Sequence, residues 1–201
     1  MLTDQELVIR TLKGDHQAFA ELVERHQGVV YNVCYRMLGD RFEAEDAVQE
    51  AFLRAYRHLR GYDQERPFKT WLLSIASNHC IDRLRRRRFT KLSIEELLPS
   101  HPALASREIG PEEAAVRNER SDSFQCMLEE LSPKYRAVVV LHYWYDMSCK
   151  EIADVLGTQE GTVKSRLFRA RQQLATQAAA RAAHLDTLAP AHGALVLMGG
   201  V

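Results

Sequence analysis

Apolar residues recur along this chain mainly with helical spacing, and few stretches alternate as strands do. Thr3 and Glu6 form a T-x-x-E capping box for a first helix that ends near Gly14. Phe19, Leu22, Val23, Val30 and Val33 mark a longer second helix that stops at Gly39. Asp40 caps a third, with Ala44, Ala47, Val48, Ala51, Ala55, Tyr56 and Leu59 on its inner face. A loop from Arg60 to Arg66 follows, and Pro67 suits the first position of a fourth helix carrying Phe68, Trp71, Leu72, Ile75 and Leu84. From Leu92 to Ser121 the period breaks around Pro99, Pro102, Gly110 and Pro111, which predicts a linker. Helical spacing resumes with Phe124, Met127, Leu128 and Leu131. Ser132-Pro133 then opens a helix through Val138, Val139, Leu141 and Trp144.

The next stretch, Ser148 to Leu174, is the most informative. Ser148 and Glu151 form a second capping box, Ile152, Ala153 and Leu156 give a narrow apolar stripe, and Gly157 ends the helix. Thr158 is the expected cap of the following helix, where Val163, Leu167, Ala170 and Leu174 recur at i, i+4, i+7 and i+11. That spacing buries one face and leaves Lys164, Ser165, Phe168, Arg169 and Gln172 on another. A helix–turn–helix with a basic second helix is suited to a DNA major groove. The alanine-rich stretch beyond Ala175 extends the last helix toward Pro190.

The predicted fold is all-α: two small helical domains joined by a flexible linker, the C-terminal one a helix–turn–helix. The expected boundaries are 1–91, a linker over 92–121, a second domain over 122–181 and a disordered tail over 182–201.

Composition changes this picture little. The 27 basic and 27 acidic residues cancel, but the average hides segregation. Glu43, Glu45, Asp46 and Glu50 cluster in one segment, while Arg83, Arg85, Arg86, Arg87 and Arg88 crowd another. Cys34, Cys80, Cys126 and Cys149 lie far apart without a C-x-x-C pair, so reduced and mostly buried thiols are expected, with no metal site and no cofactor. No signal peptide or membrane-crossing apolar run is present, which implies a cytoplasmic protein.

Three N-terminal segments have a function to assign. The helix Ala44 to Tyr56 carries its acids and Gln49 on a different arc from its apolar stripe, which makes either a solvated face or a docking face for a basic protein. The segment Gly61 to Asn78 sets aromatic rings near a loop, where they could accept an unstacked base whose edge an amide reads. Trp71 reads better as core, whereas Tyr62, in a polar loop, is the better candidate for contact. Along Arg83 to Lys91, adjacent guanidiniums repel one another, and phosphate is the natural anion to relieve them.

With these pieces in order, the chain resembles the extracytoplasmic-function (ECF) RNA polymerase sigma factors. The likeness rests on DAVQEAFLRAY (Asp46 to Tyr56), FKTWLLSIASN (Phe68 to Asn78) and the stretch Leu131 to Leu174. It implies that Asp46, Gln49, Glu50 and Phe52 grip core RNA polymerase, through the β′ clamp helices, with further contact to the β subunit. It implies that Tyr62 and Asn78 capture a flipped base of the −10 element, and that Arg83, Arg85, Arg86, Arg87 and Arg88 follow the adjacent backbone. Lys164, Ser165, Phe168 and Arg169 would enter the −35 major groove of promoter DNA, with Arg166 and Arg171 on phosphates. An anti-sigma factor is a further implied partner. Tyr145-Asp146-Met147 stands where the family often has a glycine.

An ordinary DNA-binding activator or repressor is the alternative, but it would need neither an acidic docking helix nor a base-capture loop. Enzymatic function finds no support, since the chain has no phosphate-cradling glycine loop, H-E-x-x-H or nucleophile elbow.

Overall fold

The computed structural model describes residues 2–97 and 119–188. The described elements are helical: α1 (Asp4–Leu12), α2 (His16–Leu38), α3 (Arg41–His58), a 3-10 turn (Leu59–Gly61), α4 (Phe68–Leu97), α5 (Glu119–Glu130), α6 (Pro133–Tyr145), α7 (Cys149–Leu156) and α8 (Glu160–Leu188). No described helix is long and apolar enough to cross a membrane.

The starts and stops follow local chemistry. Thr3 accepts from the Glu6 N–H and Glu6 returns the bond, closing the expected capping box. Asp15 and Asp40 cap α2 and α3. Gly39 ends α2 at φ 72°, and a Cβ there would also lie 1.9 Å from the Glu129 carboxylate. Glycine meets the backbone demand without strain, whereas a larger residue would also have to push the end of the Glu129 side chain aside.

Several boundaries differ from the sequence reading; α5, for one, begins at Glu119, inside the expected linker. Helix α4 runs on to Leu97, because no proline or glycine interrupts Leu92–Leu97. Helix α8 begins at Glu160, with the N–H groups of Thr162 and Val163 donating to the Gln159 carbonyl. Gln159 is therefore its cap, and the Thr158 N–H instead donates to Ala153 O, closing α7. The helix also continues to Leu188, through part of the expected tail. The remaining linker and tail positions, 98–118 and 189–201, lie outside the described residues.

In the N-terminal lobe α1, α3 and α4 surround α2. Leu7, Leu22, Val33, Met37, Leu72 and Leu73 are fully buried there. The Cys34 and Cys80 thiols meet in this core, and that contact together with burial pushes the Cys80 thiol up. Cys126 is exposed and Cys149 half-buried, so only two of the four thiols take the buried place expected of them. In the C-terminal lobe α6, α7 and α8 pack through Val138, Leu141, Ile152, Val163 and Leu167.

The two lobes also pack on each other, through α2 and α4 on one side and α5, α6 and α7 on the other. Arg136, 5% exposed, donates to the Met37 carbonyl at the end of α2 and to the Glu129 carbonyl (2.5 Å) at the end of α5. Helix ends leave such carbonyls without partners and carry the negative end of the dipole, so a buried guanidinium suits them. Arg36 lies 5.1 Å from the Trp144 ring centroid and exchanges hydrogen bonds with Gln125. The Tyr145 hydroxyl donates to Val29 O at 3.0 Å. Burial pushes that phenol up to about 12.

Candidate nucleic-acid and protein interfaces

The α7–α8 pair presents the cationic helix expected of a groove reader. Ser148 Oγ accepts from the Glu151 N–H at 3.2 Å, and the Glu151 carboxylate accepts from the Ser148 N–H at 2.8 Å. Hydrogen bonds from the Ser148 hydroxyl and then its backbone hold the Glu151 carboxyl below the usual carboxylate range. Gly157 adopts the left-handed conformation at φ 58°. In the Tyr145-Asp146-Met147 turn, where the resemblance leads one to expect a glycine, Asp146 is left-handed at φ 49°, a conformation that Asp tolerates better than most side chains. His142 secures this turn by donating from Nδ1 to the Met147 carbonyl at 2.9 Å.

Val163, Leu167 and Ala170 bury the inner face of α8, while Lys164, Ser165, Phe168 and Arg169 are exposed together on the outer one. Phe168 is 61% exposed, an unusual position for an aromatic ring without a partner surface. Two side chains are already oriented. Lys164 pairs with Glu160 at 2.7 Å, and the Ser165 hydroxyl donates to Thr162 O at 3.0 Å. Arg166 is half-buried. Arg171 donates from Nε to the Tyr143 hydroxyl at 2.8 Å and sits 5.7 Å from that ring's centroid. Tyr143 lies outside the helix–turn–helix in sequence, so the spacing of α8 gave no signal for it.

The other lobe departs from expectation at Tyr62. It is 6% exposed, not presented by its loop. Its ring packs 4.8 Å from Trp71 and 5.7 Å from Phe68, and its hydroxyl donates to Arg66 O. Burial raises its phenol pKa. The loop's polar residues, Asp63 to Arg66, stay exposed, and Tyr62 alone turns inward onto the aromatic end of α4. Asn78 is exposed, and Trp71, Asn78 and Arg85 follow one another at i, i+7 and i+14 along one face of α4.

The arginine tract is partly neutralised within the chain. Arg83 lies 3.3 Å from Glu43 and 3.5 Å from Asp46, Arg87 pairs with Glu43, and Arg85 lies 3.8 Å from Asp82. Arg86 and Arg88 are exposed, and Arg88 lines a cleft of about 640 Å³ between the lobes.

On α3, Asp46 and Gln49 are exposed, and Glu50 accepts from Arg54 at 2.6 Å, which lowers its pKa. Phe52 departs from expectation. It is 6% exposed and packs edge-on against Phe19 at 6.5 Å, so it belongs to the core. The aromatic and aliphatic groups of α3 that reach solvent are Phe42 (77% exposed), Leu53 (51%) and, less fully, Tyr56 (41%). Phe42, Asp46, Gln49 and Leu53 fall at i, i+4, i+7 and i+11, a single outward stripe. The stripe was readable from this spacing, but Phe42 lies before the acidic cluster that drew attention.

Two helical lobes, one ending in a capped helix–turn–helix and the other pairing an acidic helix with an arginine-rich one, define a class of DNA-reading transcription factor. Comparison with known proteins narrows the class. The family model for Sigma-70 region 2 matches residues 22–90, and that for Sigma-70, region 4 matches residues 121–174. The chain is 40% identical over 170 residues to the ECF RNA polymerase sigma factor SigW of Bacillus subtilis, covering 82% of this chain and 91% of that one. It is 34% identical over 178 residues to the ECF RNA polymerase sigma-E factor of Escherichia coli, covering 86% and 93%. Among solved structures, CnrH in complex with the cytosolic domain of CnrY aligns with a TM-score of 0.61 at 29% identity, covering 88% of this chain and 97% of that one. The chain belongs to the ECF RNA polymerase sigma factors, and it directs promoter-specific transcription initiation.

Proposed function

We propose that the two lobes divide promoter recognition between them. In this reading α8 enters the −35 major groove. Lys164, Ser165, Phe168 and Arg169 meet base edges, and Arg166 and Arg171 hold phosphates. Asn78 reads an unpaired base of the −10 element, and the tract Arg83–Arg88 follows its backbone. Tyr62 supports Trp71 from beneath, and Trp71 becomes the ring nearest the strand. Core polymerase docks on the outward stripe of α3, where Asp46, Gln49 and Glu50 are joined by Phe42 and Leu53. The chain performs no chemistry of its own and works in the cytoplasm. CnrH forms a complex with the cytosolic domain of CnrY, and this chain in turn has a protein partner besides the polymerase, an anti-sigma factor.

One observation carries this reading: the exposed, cationic outer face of α8 stands on a capped helix–turn–helix in the same chain as a region 2 lobe. Reconstitution with purified bacterial core polymerase tests it. The holoenzyme should start transcripts at a defined site, and Arg169→Ala should cost about 1–3 kcal/mol in −35 recognition if the guanidinium meets a base edge. Transcripts without promoter dependence would overturn the assignment. An unchanged −35 preference in the variant would move Arg169 off the bases.

A further inference from the structure

The acidic helix and the arginine tract, given separate partners above, are in contact with each other. Glu43 occupies the first turn of α3, its backbone N–H donating to Asp40 Oδ1 at 2.9 Å, and its side chain is only 23% exposed. One carboxylate oxygen lies 3.3 Å from Arg83 Nε, and the other pairs with Arg87. Asp46 adds a second carboxylate 3.5 Å from Arg83. Two guanidiniums and two carboxylates cancel in formal charge. A carboxylate offers a guanidinium the same paired oxygens as a phosphate, so strand and carboxylate compete for the same donors.

Asp46 has a second aspect. It is 68% exposed and stands within the outward stripe of α3. A partner that engages Asp46 there withdraws it from Arg83.

We propose that Glu43, with Asp46, is a positioning residue that occupies the Arg83 and Arg87 guanidiniums of the free chain where phosphate would otherwise bind, and that polymerase docking on α3 loosens this hold. The inference rests on the roles proposed above for α3 and the tract. It gives the free chain a low affinity for nucleic acid and makes docking and strand binding favour each other by the same factor.

The test uses the full-length chain and a short fluorescent single-stranded oligonucleotide. Glu43→Gln keeps the shape of the side chain and a residue suited to this helix position. Without polymerase it should bind about three- to tenfold more tightly than the parent at moderate salt. The slope of log affinity against log salt should steepen by about 0.7, for one more phosphate on a single strand at Arg87, because Asp46 still holds Arg83. Adding Arg83→Ala and Arg87→Ala to Glu43→Gln should abolish the gain. With core polymerase bound, the advantage of Glu43→Gln should shrink below about twofold.

Equal affinity and slope for parent and Glu43→Gln would overturn the proposal, as would a gain that survives loss of both arginines. A gain undiminished in the holoenzyme would overturn the coupling to docking. A misfolded variant would lose binding rather than gain it. The wild-type holoenzyme tests the underlying reading by itself: promoter-dependent transcripts with no gain in Glu43→Gln refute the inference alone. A gain with no such transcripts refutes the reading alone.

Discussion

Arg136 is a buried charge, and replacing it measures how firmly the lobes are joined. Its guanidinium, 5% exposed, spans the carbonyls of Met37 and Glu129 at the ends of α2 and α5. Burial lowers its pKa from 12.5 to about 10, a bias of about 3 kcal/mol against the charged form at neutral pH. Arg136→Met relieves that bias and fills most of the volume, but strands two carbonyls at about 1–3 kcal/mol each. The net loss should be about 1 kcal/mol. Arg136→Ala leaves a cavity as well and should lose about 3–5 kcal/mol. Urea unfolding gives both values from the shift in midpoint at constant slope. An alanine variant within about 0.5 kcal/mol of the parent would refute the reasoning, because it would place Arg136 in water and the lobes apart. A methionine variant as damaging as alanine would assign the loss to the missing donors and none to the cavity.

Other consequences are open to direct measurement. Phe52→Ala should lower stability by about 3–5 kcal/mol, whereas Phe42→Ala should leave the melting temperature unchanged and weaken core polymerase binding in a pull-down or by interferometry. Equal melting temperatures would contradict the burial of Phe52. Ser148→Ala removes the acceptor for the Glu151 N–H and should cost about 1 kcal/mol in thermal unfolding, with no loss contradicting the capping box. His79 has its pKa pulled below 6.5, first by burial and then by Arg54, and its Nε2 meets no hydrogen-bond partner among the described residues. The unfolded chain therefore takes up this proton at higher pH than the fold does, so stability falls as pH drops below about 6.5 and levels off at the lower folded value. His79→Gln should flatten the melting temperature over that range, and an unaltered profile would clear His79 of any part in it.

The sequence by itself determined the local grammar of this protein. Both capping boxes, the glycine stops at Gly39 and Gly157 and the apolar stripe of α8 were legible because each depends on residues within about one or two turns of helix. The exposed face of Lys164, Ser165, Phe168 and Arg169 followed from the same periodicity. Tertiary structure decided which polar or aromatic groups remain available. Tyr62 looked presented by its loop, but the Phe68–Trp71 end of α4 draws it into the core. Phe52 and Leu53 are neighbours in sequence, and only the packing of α2 on α3 makes one core and the other surface. The arginine tract looked in need of an outside anion, yet Glu43 and Asp46, remote in sequence, supply carboxylates once α3 and α4 pack. Arg136 is buried only because the ends of α2 and α5 converge on it. A helical period reports the faces of one helix, whereas the choice between solvent and partner belongs to the neighbour that the rest of the chain brings against it.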